Sequence, residues 1–365
     1  MNGKVLVLNP FLYTTEGREK VKTSIDDTLV ITLCKAFQEI GWQPTLIADC
    51  RFKPIEEKDY GFEIIYLDSY CRKLFSPIRF PFPKGLLTFI RKNKSQYDII
   101  ISSEVFSLYS LISRLACPKK TVIWHELAMH NRMWHGYASR IWYNVIGRLL
   151  LRNTRIAPRT KRAQAFISKY CNNVSAAIFD HGVDFDKFAF ESRPKENWLI
   201  SVSQLIKRKN VDKIISVYAE FVRSNPGYKL FICGEGEEES SLKKQVVDAG
   251  ISDNVCFTGN LSHRELMKIW PYCKALLIYT SKDNSMMTIP ESVVCETPII
   301  TTSVPDCSYY IEDNSLGIVK DNWGCDDLSR VVKEVDKYRS NCKQYKDNLA
   351  ATAIAQRFID YYVKK

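Results

Sequence analysis

Residues 275–298 read ALLIYTSKDNSMMTIPESVVCETP, and their order decides the fold. Ala275-Leu276-Leu277-Ile278 is a short uncharged apolar run, the pattern of a strand buried on both faces of a parallel sheet. A polar turn follows, Ser281-Lys282-Asp283-Asn284-Ser285. Pro290 then stands where a helix would begin, with Glu291 in its first turn. Free backbone N–H groups at such a start attract anions, phosphate above all. Asp283 and Glu291 bracket the turn, with seven residues between them.

Outward from this stretch the same alternation repeats. Strands are expected at 198–202, 228–233, 254–258, 275–279 and 298–302, with helical segments between them. The first half repeats it again, with strands at 4–8, 44–48, 64–67, 97–101, 121–124 and 165–168, and a helix over 25–40 closed by Gly41. Hydrophobic strands alternating with helices imply right-handed βαβ units and parallel sheets. Phe190–Asn197 is polar and contains Pro194, so it reads as a linker. The expected division is 1–190, 191–345 and a C-terminal helix within 346–365 that packs back toward the first domain. Two doubly wound domains would face a central cleft lined by the carboxyl ends of their strands, where open α/β sheets bind ligands.

The totals agree with a packed chain. Of 365 residues, 45% are hydrophobic and 25% charged, and no run is long and apolar enough to predict a membrane-spanning helix. The apolar part of MNGKVLVLNP is too short for a signal peptide and reads as a first strand. Twelve scattered cysteines without a CxxC pair predict reduced thiols and a cytoplasmic protein. A net charge of +11 suits acidic substrates, an anionic membrane surface or nucleic acid. No zinc-finger, RNP or helix-pair signature accompanies it, so nucleic acid is not expected as a partner.

Further stretches carry candidate chemistry. SVSQLIKRKN at 201–210 runs from a strand through a basic loop into a helix, so Lys209 could neutralise a departing phosphate, although those residues alone read more readily as a solvated basic loop. Gly234-Glu235-Gly236 follows a strand, where glycines let a ligand approach the backbone or simply make a tight turn. In VIWHELAMH, His125 and His130 are five apart, whereas a zinc pair on one helical face needs four, so no metal is expected. His125 at a strand end suits acid–base or hydrogen-bonding work, and a structural histidine reads equally. Residues 71–84 and 129–143 mix basic and aromatic side chains, as surfaces lying on anionic lipid do, and as core-plus-rim packing also does.

Taken together, SVSQLIKRKNVDKII, YKLFICGEGEEESSLKKQV, NVCFTGNLSHREL and SKDNSMMTIPESVVCETPII resemble the GT-B glycosyltransferases, specifically the retaining family 4. The resemblance is strongest over 199–317 and weaker in FISKYCNNVSAAIFDHGVDFDKF and VIWHE. It implies a GT-B fold of two Rossmann-like domains and a nucleotide-diphosphate-sugar donor held by the second. Asp283 would lie near the sugar and Glu291 on the ribose. The backbone of Ser285, Met286 and Met287 would meet the diphosphate and sugar, and Lys209 would stabilise the leaving group. His125 would sit near the transferred sugar, and Gly234, Glu235 and Gly236, with Glu237, would border the nucleotide.

Departures from the family pattern are visible. Gln204, a donor-side position, stands where arginine is frequent; Asp283 replaces glutamate; Ser285-Met286 replaces Phe-Gly; Glu296 replaces glycine; His181 replaces asparagine; and only Gly17 remains of a first-loop glycine pair. The implied function is a retaining, metal-independent glycosyltransferase that needs no cofactor beyond its donor. Its acceptor would be a glycan or lipid-linked glycan for cell-surface polysaccharide or glycoconjugate synthesis, at the cytoplasmic face of an anionic membrane. The alternatives are a catalytically weak sugar-nucleotide-binding subunit and a GT-B sugar-nucleotide epimerase.

Overall fold

The structure is a computed structural model describing residues 3–13, 23–71, 80–131, 133–191, 193–283 and 286–364. Ser285, Gly17, Arg132 and the 72–79 portion of the first basic aromatic stretch lie outside the described residues. The chain forms two compact units, 1–182 with 351–365, and 183–350.

The first unit is built on six parallel strands: β1 (Gly3–Leu8), β2 (Trp42–Asp49), β3 (Glu63–Leu67), β4 (Ile99–Ser103), β5 (Thr121–His125) and β6 (Arg155–Pro158). Their order in the sheet is β3-β2-β1-β4-β5-β6. Val5, Leu6, Val7 and Leu8 are at most 1% exposed, because helices cover both faces of the sheet. Helix Leu29–Glu39 covers one face and packs Phe37 against Phe358 of helix Ala351–Tyr362, ring centroids 6.4 Å apart. Phe358 also meets Phe179 at 4.7 Å, so the chain's last helix completes this core.

The second unit repeats the plan with β7 (Trp198–Val202), β8 (Lys229–Cys233), β9 (Val255–Gly259), β10 (Ala275–Leu277), β11 (Ile299–Thr301) and β12 (Gly317–Val319). Its order is β12-β11-β10-β7-β8-β9, again all parallel. Each sheet therefore reverses its winding once, between β1 and β4 in the first unit and between β7 and β10 in the second. The crevice outside the carboxyl ends of such a strand pair is where this kind of sheet takes ligands.

Two differences from the sequence reading have clear causes. The strand expected at 165–168 is helix Lys161–Ile167. Thr160 caps it by accepting a hydrogen bond from the Ala163 N–H, and Ala163, Phe166 and Ile167 bury one side at helical spacing. The sixth strand is instead β6, whose arginine and proline disguise it. The segment expected to link the domains lies within the second unit, where Lys195 donates to the Pro271 carbonyl at 2.6 Å and the Glu196 N–H to the Tyr272 carbonyl at 2.8 Å.

Candidate functional site

At the β7–β10 reversal, each strand runs into a loop and the two loops are stitched together. The Arg208 carbonyl accepts from the Ser281 N–H at 2.9 Å and from the Ser281 and Thr280 hydroxyls at 3.1 and 3.2 Å. Asn210 takes a left-handed conformation, φ 48°, and its side-chain amide donates to the Tyr279 carbonyl at 2.9 Å. Asparagine tolerates that conformation better than most residues, and here it turns the short helical turn Lys207–Lys209 directly into helix Val211–Ser224.

This stitching brings charge together. The Lys209 ammonium, on a residue only 9% exposed, pairs with Asp283. Arg208 reaches the same Asp283 oxygen at 3.1 Å and also donates to the Lys282 carbonyl at 2.9 Å. One carboxylate thus gathers two cations at the strand ends. Lys209 also lines a small cavity with Ser201, Ser203, Tyr279, Thr280 and Met286, with room of about 10 Å³, near what one water requires.

The other second-unit candidates divide by role. Met286 is 5% exposed and its side chain joins the apolar core with Ile278, Ile289 and Cys307, so the bulky residue is absorbed by packing. Met287 precedes helix Thr288–Val294 and accepts from the Glu291 N–H at 3.1 Å. The helix begins two residues earlier than expected, which puts Pro290 at its third position. Glu291 is half-buried and lies 3.8 Å from His263 Nε2, itself edge-on to Phe188.

Gly234 and Gly236 are needed for a backbone-on-backbone contact. A Cβ on Gly234 would lie 1.9 Å from the Ser203 carbonyl oxygen, and one on Gly236 2.2 Å from that of Leu205. The loop they form is held by Leu205 N–H donating to the Glu235 carbonyl at 2.9 Å, and the side chains of Gln204 and Glu235 are exposed beside it.

In the first unit, His125 ends β5 and is fully buried. Its Nδ1 lies 2.8 Å from Glu104, a residue at φ 66° just beyond β4. Its Nε2 has no hydrogen-bond partner among the described residues, and Phe166 stacks on the ring at 6.4 Å. Glu104 also accepts from the Glu126 N–H at 2.9 Å, which fixes the loop after β5. His130 is engaged elsewhere, with Ser139 at 3.2 Å and Tyr170 at 3.3 Å.

Beside it Glu126 pairs with Arg159 at 2.7 Å and His181 at 3.4 Å, and Arg159 stacks on Trp124 with its guanidinium 3.6 Å from a ring centroid. Burial alone would raise the Glu126 carboxyl, but His181 and Arg159 outweigh it and hold it well below the usual carboxylate range. Burial likewise opposes charge on His181, yet the Glu126 carboxylate and a hydrogen bond with Asp180 push it up to about 9.

Sequence reasoning missed Arg208, Glu104 and the Arg159 network. The basic run Lys207-Arg208-Lys209 was a signal for the first, and an acid directly after the apolar β4 for the second. Glu296 proves structural: it sits at φ 53° at the end of its helix, 4% exposed, and pairs with Lys346 at 3.0 Å and Arg339 at 3.4 Å.

Residues 183–351, the second unit almost to the residue, match the family model described as Glycosyl transferases group 1. The alpha-monoglucosyldiacylglycerol synthase of Streptococcus pneumoniae is 23% identical over 183 residues, covering 46% of this chain and 41% of that protein. The O-antigen chain mannosyltransferase RfbU of Salmonella typhimurium is 26% identical over 133 residues, covering 36% of this chain and 37% of that one. The matches thus span less than half the length of these curated relatives. Among solved structures, Anabaena Alr3699/HepE in complex with UDP-glucose superposes with a TM-score of 0.65 at 14% identity, covering 98% of this chain and 99% of that one. That likeness establishes the fold, two Rossmann-like units of GT-B type. The second unit thus matches the group 1 glycosyl transferases, within a chain whose two units have the GT-B architecture.

Proposed function

We propose that this protein is a retaining glycosyltransferase of family 4 that moves a sugar from a nucleotide-diphosphate-sugar to a glycan or lipid-linked glycan acceptor. The observation that carries the reading is the buried Lys209, paired with Asp283 at the β7–β10 reversal inside the matched segment. A departing diphosphate develops negative charge, and a preorganised ammonium in a partly dry site stabilises it without reorganising. Arg208 adds a second cation within reach of the same carboxylate. We assign Asp283 to the sugar, Glu291 to the ribose, Ser285, Met286 and Met287 to the diphosphate side, and Gln204 with Gly234, Glu235 and Gly236 to the nucleotide border. We assign His125 to the neighbourhood of the transferred sugar, where its buried Nε2 has no hydrogen-bond partner among the described residues.

In this reading the acceptor oxygen bonds to the anomeric carbon on the face from which the diphosphate leaves. The carbon–phosphate-oxygen bond breaks, and the acceptor proton passes to the departing phosphate. Neither a metal nor a cofactor is required, because Lys209 and Arg208 supply the positive charge. The glycolipid and O-antigen activities named for the relatives support a lipid-linked or surface-glycan acceptor. The +11 charge supports peripheral work at the cytoplasmic face of an anionic membrane, and no described helix is long and apolar enough to cross one.

Lys209→Ala should lower kcat by about 10²–10³ while leaving the melting temperature within a few degrees. Turnover with the correct donor that survives this change intact removes the clamp. The right donor is found by the rise in melting temperature across UDP-, GDP- and ADP-sugars. One observation favours a second reading, a subunit that binds but scarcely turns over: Met286 packs against the small cavity beside Lys209. Stabilisation by a sugar nucleotide with neither transfer nor hydrolysis would select it, and interconversion of the sugar without an acceptor would select an epimerase.

A further inference from the structure

Residues 137–149 of the first unit form one continuous helical stretch, helix Tyr137–Trp142 running into a π turn, Tyr143–Gly147. One side, Ser139, Tyr143, Gly147 and then Leu151, is buried. The opposite side carries a row of large apolar residues in the open: Tyr137 is 65% exposed, Ile141 64%, Val145 46% and Leu149 75%. Spacing by four drifts about 40° per step around an ordinary α-helix, so such a row should wind off its face. The π turn, with its wider i→i+5 ring, turns the helix less per residue and works against that drift. Alongside runs a second exposed row, Arg140, Asn144 and Arg148, continued by Arg152 in the turn beyond. From 127 to 179 the chain holds nine lysines and arginines and no aspartate or glutamate.

We propose that this face docks on an anionic lipid bilayer, with the apolar row entering the headgroup–acyl boundary and the arginine row on lipid phosphates. An exposed apolar stripe beside a row of arginines is the chemistry of a helix lying in the plane of a membrane surface. Charge decides against a second copy of the chain, because a two-fold contact at this face would oppose arginines with arginines and offer no acid within the segment. The inference rests on the lipid-linked acceptor in the reading above, and deepens it by naming the surface that meets the lipid.

The test is flotation of the full chain with vesicles of phosphatidylcholine, with and without phosphatidylglycerol, at low and high salt. Wild type should float with the anionic vesicles and lose binding as salt rises. Ile141→Ser/Leu149→Ser should lower partitioning at least tenfold at either salt, since burying each side chain is worth a tenfold factor or more. Arg140→Gln/Arg152→Gln should lower it about twentyfold at low salt, near fivefold per charge, and much less at high salt. Both pairs are exposed, so unchanged melting temperatures confirm that the variants fold. The proposal is overturned if wild type binds neutral and anionic vesicles alike, or fails to bind either, or if the apolar pair floats as wild type does. It is also overturned if light scattering shows a wild-type dimer that the apolar pair dissociates, which would make the face a protein interface. Stabilisation by nucleotide sugars, measured on the same variants, should not change. If vesicles bind and no sugar nucleotide stabilises the chain, the donor reading fails and the docking face stands; the converse result separates them the other way.

Discussion

Asp283→Asn should tighten the binding of a bare nucleoside diphosphate. Asp283 occupies both cations of the site, Lys209 and Arg208, with one carboxylate oxygen. In the proposed reading, a diphosphate has to take those cations from it. At about 4 Å and an effective dielectric near 20, each charge pair is worth about 4 kcal/mol before solvation is counted. Solvation takes back much of this, because the Arg208 side chain is 37% exposed and water screens it well, whereas Lys209 at 10% is screened less. Asparagine keeps the shape and one acceptor oxygen but removes the competing charge. The net gain is about 1–2 kcal/mol, or roughly tenfold in Kd. Calorimetric titration with UDP, GDP and ADP reads it without involving the sugar. With the intact donor the same variant should lose kcat, because the carboxylate assigned to the sugar is gone. Weaker or unchanged diphosphate binding in Asp283→Asn would refute the idea that these cations are the diphosphate's own.

Two further outcomes follow from the geometry. Glu296→Gly relieves a left-handed backbone, a gain of about 1 kcal/mol, but strips the partner from Arg339 and Lys346, a loss of about 2–3 kcal/mol. Urea unfolding should therefore show net destabilisation of about 1–2 kcal/mol with nucleotide binding unchanged; a gain in stability would show that the ion pairs contribute nothing. His181, raised from 6.5 to about 9, contributes stability that is fully present below about pH 6.5 and lost as pH rises through about 9. Unfolding free energy should fall across that window by a few kcal/mol, and His181→Asn should flatten the fall.

The alternation of strands and helices was legible because parallel strands covered on both faces read as unbroken apolar runs, such as Val5–Leu8 and Ala275–Ile278. Strands that break this pattern were not legible. β12 has only three residues, Gly317–Val319, and β6 contains Arg155 and Pro158. The run Ala165–Ile167 was too short to separate strand from helix, and the capping Thr160 was the overlooked sign. At the candidate site, Lys209 was legible from the basic loop between strand and helix and Asp283 from its spacing to Glu291, with their roles implied by the resemblance; the structure adds that the two pair. That Arg208 shares Asp283 was not, because the pair spans 75 positions and depends on how two loops are stitched. The two glycines of 234–236 read as room for a ligand or as a tight turn, whereas the nearest constraint is the Ser203–Leu205 backbone, which no local pattern encodes.

The chain leaves the first unit at Gly182 and re-enters it at Ala351, and the two passages are side by side, with Val183 N–H donating to the Leu349 carbonyl at 2.8 Å. During synthesis this has a cost in time. The core around Phe37 and Phe179 lacks its Phe358 side until that residue leaves the ribosome, although all six strands of its sheet precede residue 159, whereas residues 183–350 form their unit from one unbroken stretch. At about 5–20 residues per second, the roughly 170 intervening residues keep the earlier half waiting for on the order of 10–30 s. The portion translated later is thus the one able to finish first, and the portion translated earlier spends that interval with an apolar groove open to chaperones.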